Sequence, residues 1–126
     1  LVEGAGMQSH YWVGDLNVSD VEKSIQRFIQ AGVRVSITEL DIPAGTYQNQ
    51  AKPPLSAADE LKQAQLYAQL FQIYLKYADN IERVTFWGKA DSQSWRSFGS
   101  PLLFDRYFGP KKAFEAVMEP EGFLKQ

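Results

Sequence analysis

The chain has 126 residues, of which 44% are hydrophobic, 13% aromatic and 22% charged, as is typical of a single folded domain. Thirteen basic and fifteen acidic residues give a net charge of −2, which argues against nucleic acid or an anionic membrane as a partner. The absence of cysteine excludes disulfides, thiolate catalysis and cysteine-ligated metals, and no apolar run approaches the roughly 20 residues of a membrane helix.

The first predicted elements are a strand over residues 5–12 and a helix after a polar connection. Ser19 and Glu22 fit a capping box at the start of this helix. Four apolar residues then share one helical face: Val21, Ile25, Phe28 and Ile29. Gly32 is expected to end the helix, because glycine readily adopts the left-handed conformation found at helix carboxyl ends.

The second predicted strand covers residues 33–42. A period of two places Val35, Ile37 and Glu39 on one face of this strand, which turns Glu39 inward. The opposite face is expected to carry five residues: Arg34, Ser36, Thr38, Leu40 and Ile42. Residues 43–55 hold three prolines and are predicted to form a long surface loop.

The longest predicted helix opens with Ser56 and Asp59 and ends near residues 77–80. The side of this helix that faces the sheet is expected to carry Leu61, Gln65, Ala68, Phe71 or Leu70, Tyr74 and Leu75. A third strand is predicted over residues 83–88, because Val, Thr, Phe and Trp favour extended structure.

A second long loop is predicted over residues 89–109. Pro110 suits the first position of a last helix, which is expected to run to about Met118 and to stop before Pro120. The resulting alternation of strands and helices predicts an α/β fold with a parallel sheet.

In parallel α/β folds the functional site lies where the strands end at their carboxyl side. Glu39 and Asp41 end the second predicted strand, and His10, the only histidine, ends the first. Adjacent strands lie about 4.8 Å apart, so His10 could bridge the two carboxylates and orient Glu39 as a nucleophile. The sequence alone also allows a structural carboxylate and a histidine that is simply satisfied in the core.

Two tryptophans lie at and beyond the end of the third predicted strand. Trp87 ends it, and Trp95 lies in the polar loop beyond. Aromatic residues in strands are mostly core residues. An indole at a strand end can also stack on the apolar face of a sugar ring, so both a core role and a sugar-binding role remain open.

Five motifs in order resemble the C-terminal part of glycoside hydrolase family ten, the endo-1,4-β-xylanases on a (β/α)8 barrel. They are GMQSH at 6–10, ITELDI at 37–42, VTFWG at 84–88, DSQSWR at 91–96 and PLLFD at 101–105. The resemblance implies that the chain, residues 1–126, is the last three βα units (strands six to eight) of this barrel. It implies xylan or xylo-oligosaccharides as ligands, with no metal ion and no cofactor.

The resemblance also implies roles for single residues. Glu39 matches the catalytic nucleophile, His10 the histidine that hydrogen-bonds it, and Asp41 the aspartate that holds this histidine. Gln8 matches a glutamine near the nucleophile and the sugar of the −1 subsite. Trp87 and Trp95 match the tryptophans that shape the −1 and −2 subsites. Lys89 departs from the pattern, because a small or apolar residue usually follows the Trp-Gly pair.

A complete barrel has eight βα units and about 250 residues. The acid/base glutamate of the family, in an Asn-Glu motif, has no counterpart here, so we expect an N-terminal portion to supply it. The chain alone is expected to be inactive, and to associate with that portion or with itself because its edge strands are unpaired. A carbohydrate-binding fragment or a purely structural fragment is the alternative. Xylan lies outside cells, so the resemblance implies a secreted or cell-surface enzyme.

Overall fold

The computed structural model describes residues 1–126. In chain order the elements are β1 (Gly4–Met7), α1 (Val18–Gln30), β2 (Arg34–Leu40), α2 (Ala57–Lys76), β3 (Ile81–Phe86), α3 (Lys112–Met118) and α4 (Pro120–Leu124). Single 3-10 turns occur at Asp91–Gln93 and Ser97–Gly99. The strands form one parallel sheet in the order β1-β2-β3, which confirms the predicted α/β alternation. None of the helices has the length and hydropathy to cross a membrane.

The first strand is shorter than predicted. β1 ends at Met7, because Ser9 has a φ of 70° and this left-handed conformation interrupts the extended chain. Beyond this turn His10 returns to the sheet and forms an isolated parallel bridge with Asp41. The break therefore still leaves His10 beside the end of β2.

The start of α1 differs from the predicted capping box. Asn17 is the N-cap, and its side-chain oxygen accepts hydrogen bonds from the backbone N–H groups of Ser19 and Asp20 at 3.0 and 3.3 Å. The helix thus begins before Ser19, and Glu22 instead accepts hydrogen bonds from Lys76 and Tyr77 of the next helical segment. Gly32, with a φ of 79°, follows the helix end as predicted.

A register irregularity between Ile37 and Leu40 breaks the predicted alternation of β2. Val35, Ile37 and Leu40 are all fully buried in one core cluster that also contains side chains of α1 and α2. Because neighbouring strand residues point to opposite faces, Glu39 is turned away from that core. The prediction that Glu39 shares a face with Val35 and Ile37 is wrong, as is the placement of Leu40 and Ile42 on the opposite face.

The buried face of α2 agrees with the prediction at Ala68, Leu70 and Tyr74 but differs from it elsewhere. Leu61, Gln65 and Leu75 are exposed, and the buried residues are Gln63, Ala64, Tyr67, Ala68, Leu70 and Tyr74. The helix packs against the sheet on one side and against α3 and α4 on another, where Ala64 and Ala68 contact Ala116 and Phe123. Because the helix is buried both by the sheet and by α3 and α4, its buried face is wider than the predicted one and is rotated relative to it. The N-cap Ser56, which accepts from Asp59 N–H at 3.0 Å, is as predicted.

The last segments start later than the sequence predicts. Pro110 pairs with Phe104 in an isolated bridge that closes the loop, so α3 begins only at Lys112. Pro120 does not follow the end of the helical structure but occupies the first position of α4, a place that needs no N–H donor. β3, by contrast, starts and ends two residues earlier than predicted and leaves Trp87 just beyond its end.

Candidate active site

The polar residues singled out from the sequence lie at one edge of the sheet, where the three parallel strands end. Glu39 lies near the end of β2, and its backbone N–H donates to the carbonyl oxygen of Gln8 at 2.9 Å. Trp87 N–H donates to Leu40 O at 3.1 Å, which places the residue after β3 beside the same strand. Gln8 itself is exposed. The fold therefore brings the predicted site residues of all three strands to one edge.

Glu39, His10 and Asp41 form a row of hydrogen-bonded side chains. His10 Nε2 lies 3.0 Å from Glu39 Oε1, and His10 Nδ1 lies 2.9 Å from Asp41 Oδ1. The exposed fractions of the side chains are 27% for Glu39, 18% for His10 and 0% for Asp41. The row thus runs from a completely buried carboxylate to one that solvent can reach, and the ring between them can turn very little.

Asp41 accepts hydrogen bonds from two further side chains. Trp95 Nε1 donates to Asp41 Oδ2 at 2.9 Å, and Arg96 Nη1 donates to Asp41 Oδ1 at 2.7 Å. The edge of the Trp95 indole also meets the His10 ring, with centroids 5.0 Å apart and an interplanar angle of 73°. Asp41 therefore holds His10 and Trp95 in fixed positions relative to each other.

Arg96 was not identified from the sequence, although it stands inside the motif at 91–96. Its side chain is only 5% exposed, and Nη2 donates to the carbonyl oxygen of Tyr11 at 3.0 Å. The guanidinium lies 4.4 Å from the centre of the Trp12 ring. The available signal was an arginine directly after Trp95, in a loop expected to lie near two acidic residues.

Both tryptophans present large apolar surfaces to solvent. Trp87 is 46% exposed and Trp95 is 64% exposed, so neither is a core residue. Trp95 is held at its nitrogen by Asp41, and most of the residue remains exposed to solvent. Exposed indoles beside carboxylates provide the two kinds of contact that a sugar ring accepts, stacking and hydrogen bonding. Lys89 is exposed as well.

A buried ion pair fixes the loop that carries Trp95 and Arg96. Lys111 Nζ donates to Asp91 Oδ2 at 2.9 Å and to the carbonyl oxygens of Ser100 and Leu102 at 2.8 and 2.7 Å. Burial raises the pKa of Asp91 and lowers the pKa of Lys111, and in each case the partner charge opposes the shift. A cavity of about 870 Å³ lies beside this pair and is not lined by Glu39, His10 or either tryptophan.

No group of three or more His, Cys, Asp or Glu side chains is arranged to hold a metal ion. A carboxylate that is buttressed by an imidazole and exposed to solvent can act as a nucleophile or as a base.

Comparison with known proteins identifies the family of this arrangement. The family model described as glycosyl hydrolase family 10 matches residues 1–120. The chain belongs to glycosyl hydrolase family 10. It is 34% identical over 126 residues to an endo-1,4-beta-xylanase of Geobacillus stearothermophilus, a match that covers 93% of the chain but only 38% of that relative.

Solved family 10 structures show the same fold over the same part of the molecule. The GH10 xylanase of Thermobacillus composti superposes with a TM-score of 0.87 at 35% identity, over 94% of the chain and 42% of that structure. A mutant protein solved in complex with xylotriose superposes with a TM-score of 0.87 at 30% identity, over 93% of the chain and 39% of that structure. The chain is thus the C-terminal three βα units of a (β/α)8 barrel and spans about two fifths of the length of these relatives.

Proposed function

We propose that this family 10 chain supplies the nucleophile side of a retaining endo-1,4-β-xylanase, with Glu39 as the nucleophile. The observation that carries this proposal is the hydrogen-bonded row at the sheet edge, in which the solvent-accessible Glu39 is held by His10 at 3.0 Å. In the proposed reaction Glu39 attacks the anomeric carbon and forms a covalent xylosyl ester, while the bond to the leaving sugar breaks. Water then releases the sugar and regenerates the carboxylate.

The second carboxyl group of the reaction comes from outside this chain. Retaining hydrolysis needs an acid/base carboxyl about 5–5.5 Å from the nucleophile. Asp41 is the carboxylate nearest to Glu39 in the row, but it is fully buried and accepts hydrogen bonds from His10, Trp95 and Arg96. A carboxylate with these three donors has no route to the leaving oxygen. We therefore assign the acid/base to an N-terminal portion, and we expect the chain alone to be inactive or nearly so.

The proposed substrate is the β-1,4-xylose chain of xylan. The exposed indoles of Trp87 and Trp95 lie at the edge where Glu39 is presented, and we assign them to stacking on the sugars of the glycone side, with Gln8 as a further polar contact. The xylotriose complex of a relative at 30% identity supports this substrate class. Because xylan is an extracellular polymer, we also propose a secreted or cell-surface location.

Complementation with an N-terminal barrel portion tests the proposal. The complemented chain is expected to release reducing sugar from xylan, and Glu39→Gln is expected to lower this rate at least about 10³-fold, since the nucleophile is lost. Glu115→Gln, an exposed glutamate of α3, is the matched control and should have no effect. Activity that survives Glu39→Gln would refute the assignment.

Added azide separates a nucleophile from a structural carboxylate. With Glu39→Ala and an aryl β-xyloside that carries a good leaving group, azide is expected to restore turnover and to give the α-xylosyl azide. This product forms because the small anion attacks from the vacated side of the sugar ring. A product with unchanged β-configuration contradicts the proposed position of Glu39.

A non-catalytic carbohydrate-binding fragment is the second candidate, favoured by the 46% and 64% exposure of the two indoles. In this case the chain alone binds xylo-oligosaccharides weakly. Trp95→Ala abolishes this binding and Glu39→Ala changes it little. Calorimetric titration of the uncomplemented chain with xylotriose distinguishes this candidate from a purely structural fragment, which binds nothing.

We also propose that the chain associates through its sheet edges. β1 and β3 each have one neighbouring strand, and each presents an unpaired edge. The partner is the N-terminal portion or a second copy of the chain. Gel filtration with light scattering is expected to show a mass above 14.3 kDa, and a stable monomer would contradict this expectation.

A further inference from the structure

Arg96 stands at the buried end of the row that leads to Glu39. Its Nη1 donates to Asp41 Oδ1, the same oxygen that lies 2.9 Å from His10 Nδ1, and its Nη2 donates to Tyr11 O. Apart from His10 and Arg96, no basic side chain lies within 4.0 Å of a carboxylate oxygen of Asp41 or Glu39. Arg96 is therefore the only permanent positive charge in direct contact with the row.

We propose that Arg96 is a positioning residue for the Glu39 nucleophile and acts through Asp41 and His10. The inference rests on the proposed function, because it concerns how Glu39 is kept reactive. A buried carboxylate without a balancing charge stabilises positive charge on a neighbouring imidazole. Arg96 supplies this balance and fixes the Asp41 carboxylate that orients the His10 ring. Without the Arg96 charge, the row of two carboxylates and one imidazole would take up a proton more readily, and a protonated Glu39 cannot attack the sugar.

The surroundings of Arg96 fix the guanidinium and keep it away from substrate. It lies between two indoles, 4.4 Å from the Trp12 ring centre and 5.5 Å from that of Trp95, and Trp12 stacks on Phe98 at 6.1 Å. With 5% of its side chain exposed, it offers almost no surface to a sugar. An effect of Arg96 on catalysis must therefore pass through Asp41 or Trp95.

The titratable groups that face the row are few. Asp41 contacts His10 and Arg96, and His10 contacts Glu39. From α2, Tyr67 is close enough that the charge of Asp41, after burial, contributes to the raised pKa of its hydroxyl. Removal of the Arg96 charge thus leaves two carboxylates facing a single imidazole. These three side chains together must then take up a proton at a higher pH.

Kinetics of the complemented enzyme test the inference. Arg96→Met, which keeps a long apolar stem, is expected to lower kcat about tenfold or more, to change KM less than about threefold, and to move the acid limb of the pH profile up by about one pH unit. Arg96→Lys keeps the charge and is expected to retain the native acid limb. Arg106→Met, an exposed arginine of the same loop, is the control.

Three outcomes overturn the inference. A raised KM with unchanged kcat would indicate that Arg96 binds sugar directly. An acid limb that moves equally in Arg96→Lys and Arg96→Met would exclude a charge effect, and the Arg96→Lys result remains decisive if Arg96→Met does not fold. Equal effects of Arg106→Met would indicate a general property of the loop.

The single histidine of the chain separates this inference from the proposed function. With isotope label in this chain only, imidazole signals come from His10 alone. The ring is expected to lose its second proton at a higher pH in Arg96→Met than in the unaltered complemented chain. An inactive complemented chain that shows this difference would refute the proposed function but not the role of Arg96 toward His10. Identical ring spectra at every pH would refute the role of Arg96.

Discussion

Two buried aspartates show how differently one fold can use the same side chain. Asp91 accepts from Leu102 N–H at 2.7 Å and from Lys111, whose remaining hydrogen bonds go to backbone carbonyls, so the cluster is closed on itself. Asp41 accepts from His10, Trp95 and Arg96, and two of these partners lead to groups at the surface. The Asp91 cluster holds a loop together, whereas the Asp41 cluster orients side chains that solvent can reach.

The Asp91 cluster should contribute more to the stability of the fold than the Asp41 cluster does. Lys111→Met leaves the carboxylate of Asp91 buried without its ionic partner and two carbonyl oxygens without a donor. We expect the free energy of unfolding of the complemented chain to fall by about 3–5 kcal/mol. Denaturant titration measures this loss. Lys112→Met, at the exposed neighbouring position, should change stability by less than about 0.5 kcal/mol.

A double variant sharpens this test. Asp91→Leu combined with Lys111→Met removes both charges, so the destabilisation should be smaller than for Lys111→Met alone. If the double variant is the less stable of the two, the main role of the pair is not compensation of buried charge.

The Asp41 cluster should affect stability less than the Asp91 cluster does, and it should affect the alignment of His10 and Trp95 more. Asp41→Asn keeps the shape of the side chain but removes the charge that holds Arg96, and it presents an N–H group to one of three donors. We expect a loss of about 1.5–3 kcal/mol in the free energy of unfolding. The Trp95 indole N–H resonance should move at the same time. A variant with unchanged stability and an unchanged indole signal would contradict the role of Asp41 as the common acceptor.

A smaller, pH-dependent contribution to stability is expected from Asp105, whose pKa is shifted in the opposite direction to that of Asp91. The backbone N–H groups of Gly109 and Tyr107 donate to this carboxyl and lower its pKa. Its stabilising contribution is therefore present above the unfolded pKa of about 3.9 and is lost as the pH falls through the lower folded value. The melting temperature of Asp105→Asn should lie below that of the unaltered chain at pH 6, and the difference should shrink toward pH 2. A difference that grows on acidification would contradict this assignment.

Local signals in the sequence were sufficient for much of the fold. The strand and helix order, the helix end before Gly32 and the N-cap at Ser56 depend on neighbouring residues and could be predicted. The irregularity after Ile37 arises from pairing with β3, which no local pattern contains, so the face of Glu39 was mispredicted. The buried face of α2 depends on contacts with α3 and α4 for the same reason.

The candidate site shows the same division between local and long-range information. His10, Glu39 and Asp41 could be grouped because parallel strands place their carboxyl ends together. Arg96 could not, since its partners Asp41 and Tyr11 are 55 and 85 residues away along the chain. Charge and burial at such a position become visible only when the loop is folded over the sheet.

The positive φ of Ser9 restricts how this sequence can vary. Its backbone carbonyl accepts from Asp41 N–H at 3.2 Å, and the next residue is His10, so one dihedral angle of 70° determines where the imidazole returns to the sheet. Glycine, asparagine or aspartate can adopt that angle with little strain, but valine or isoleucine cannot. Any redesign of this region that favours a smoother, more regular strand would therefore swing the imidazole away from the carboxylates it now joins.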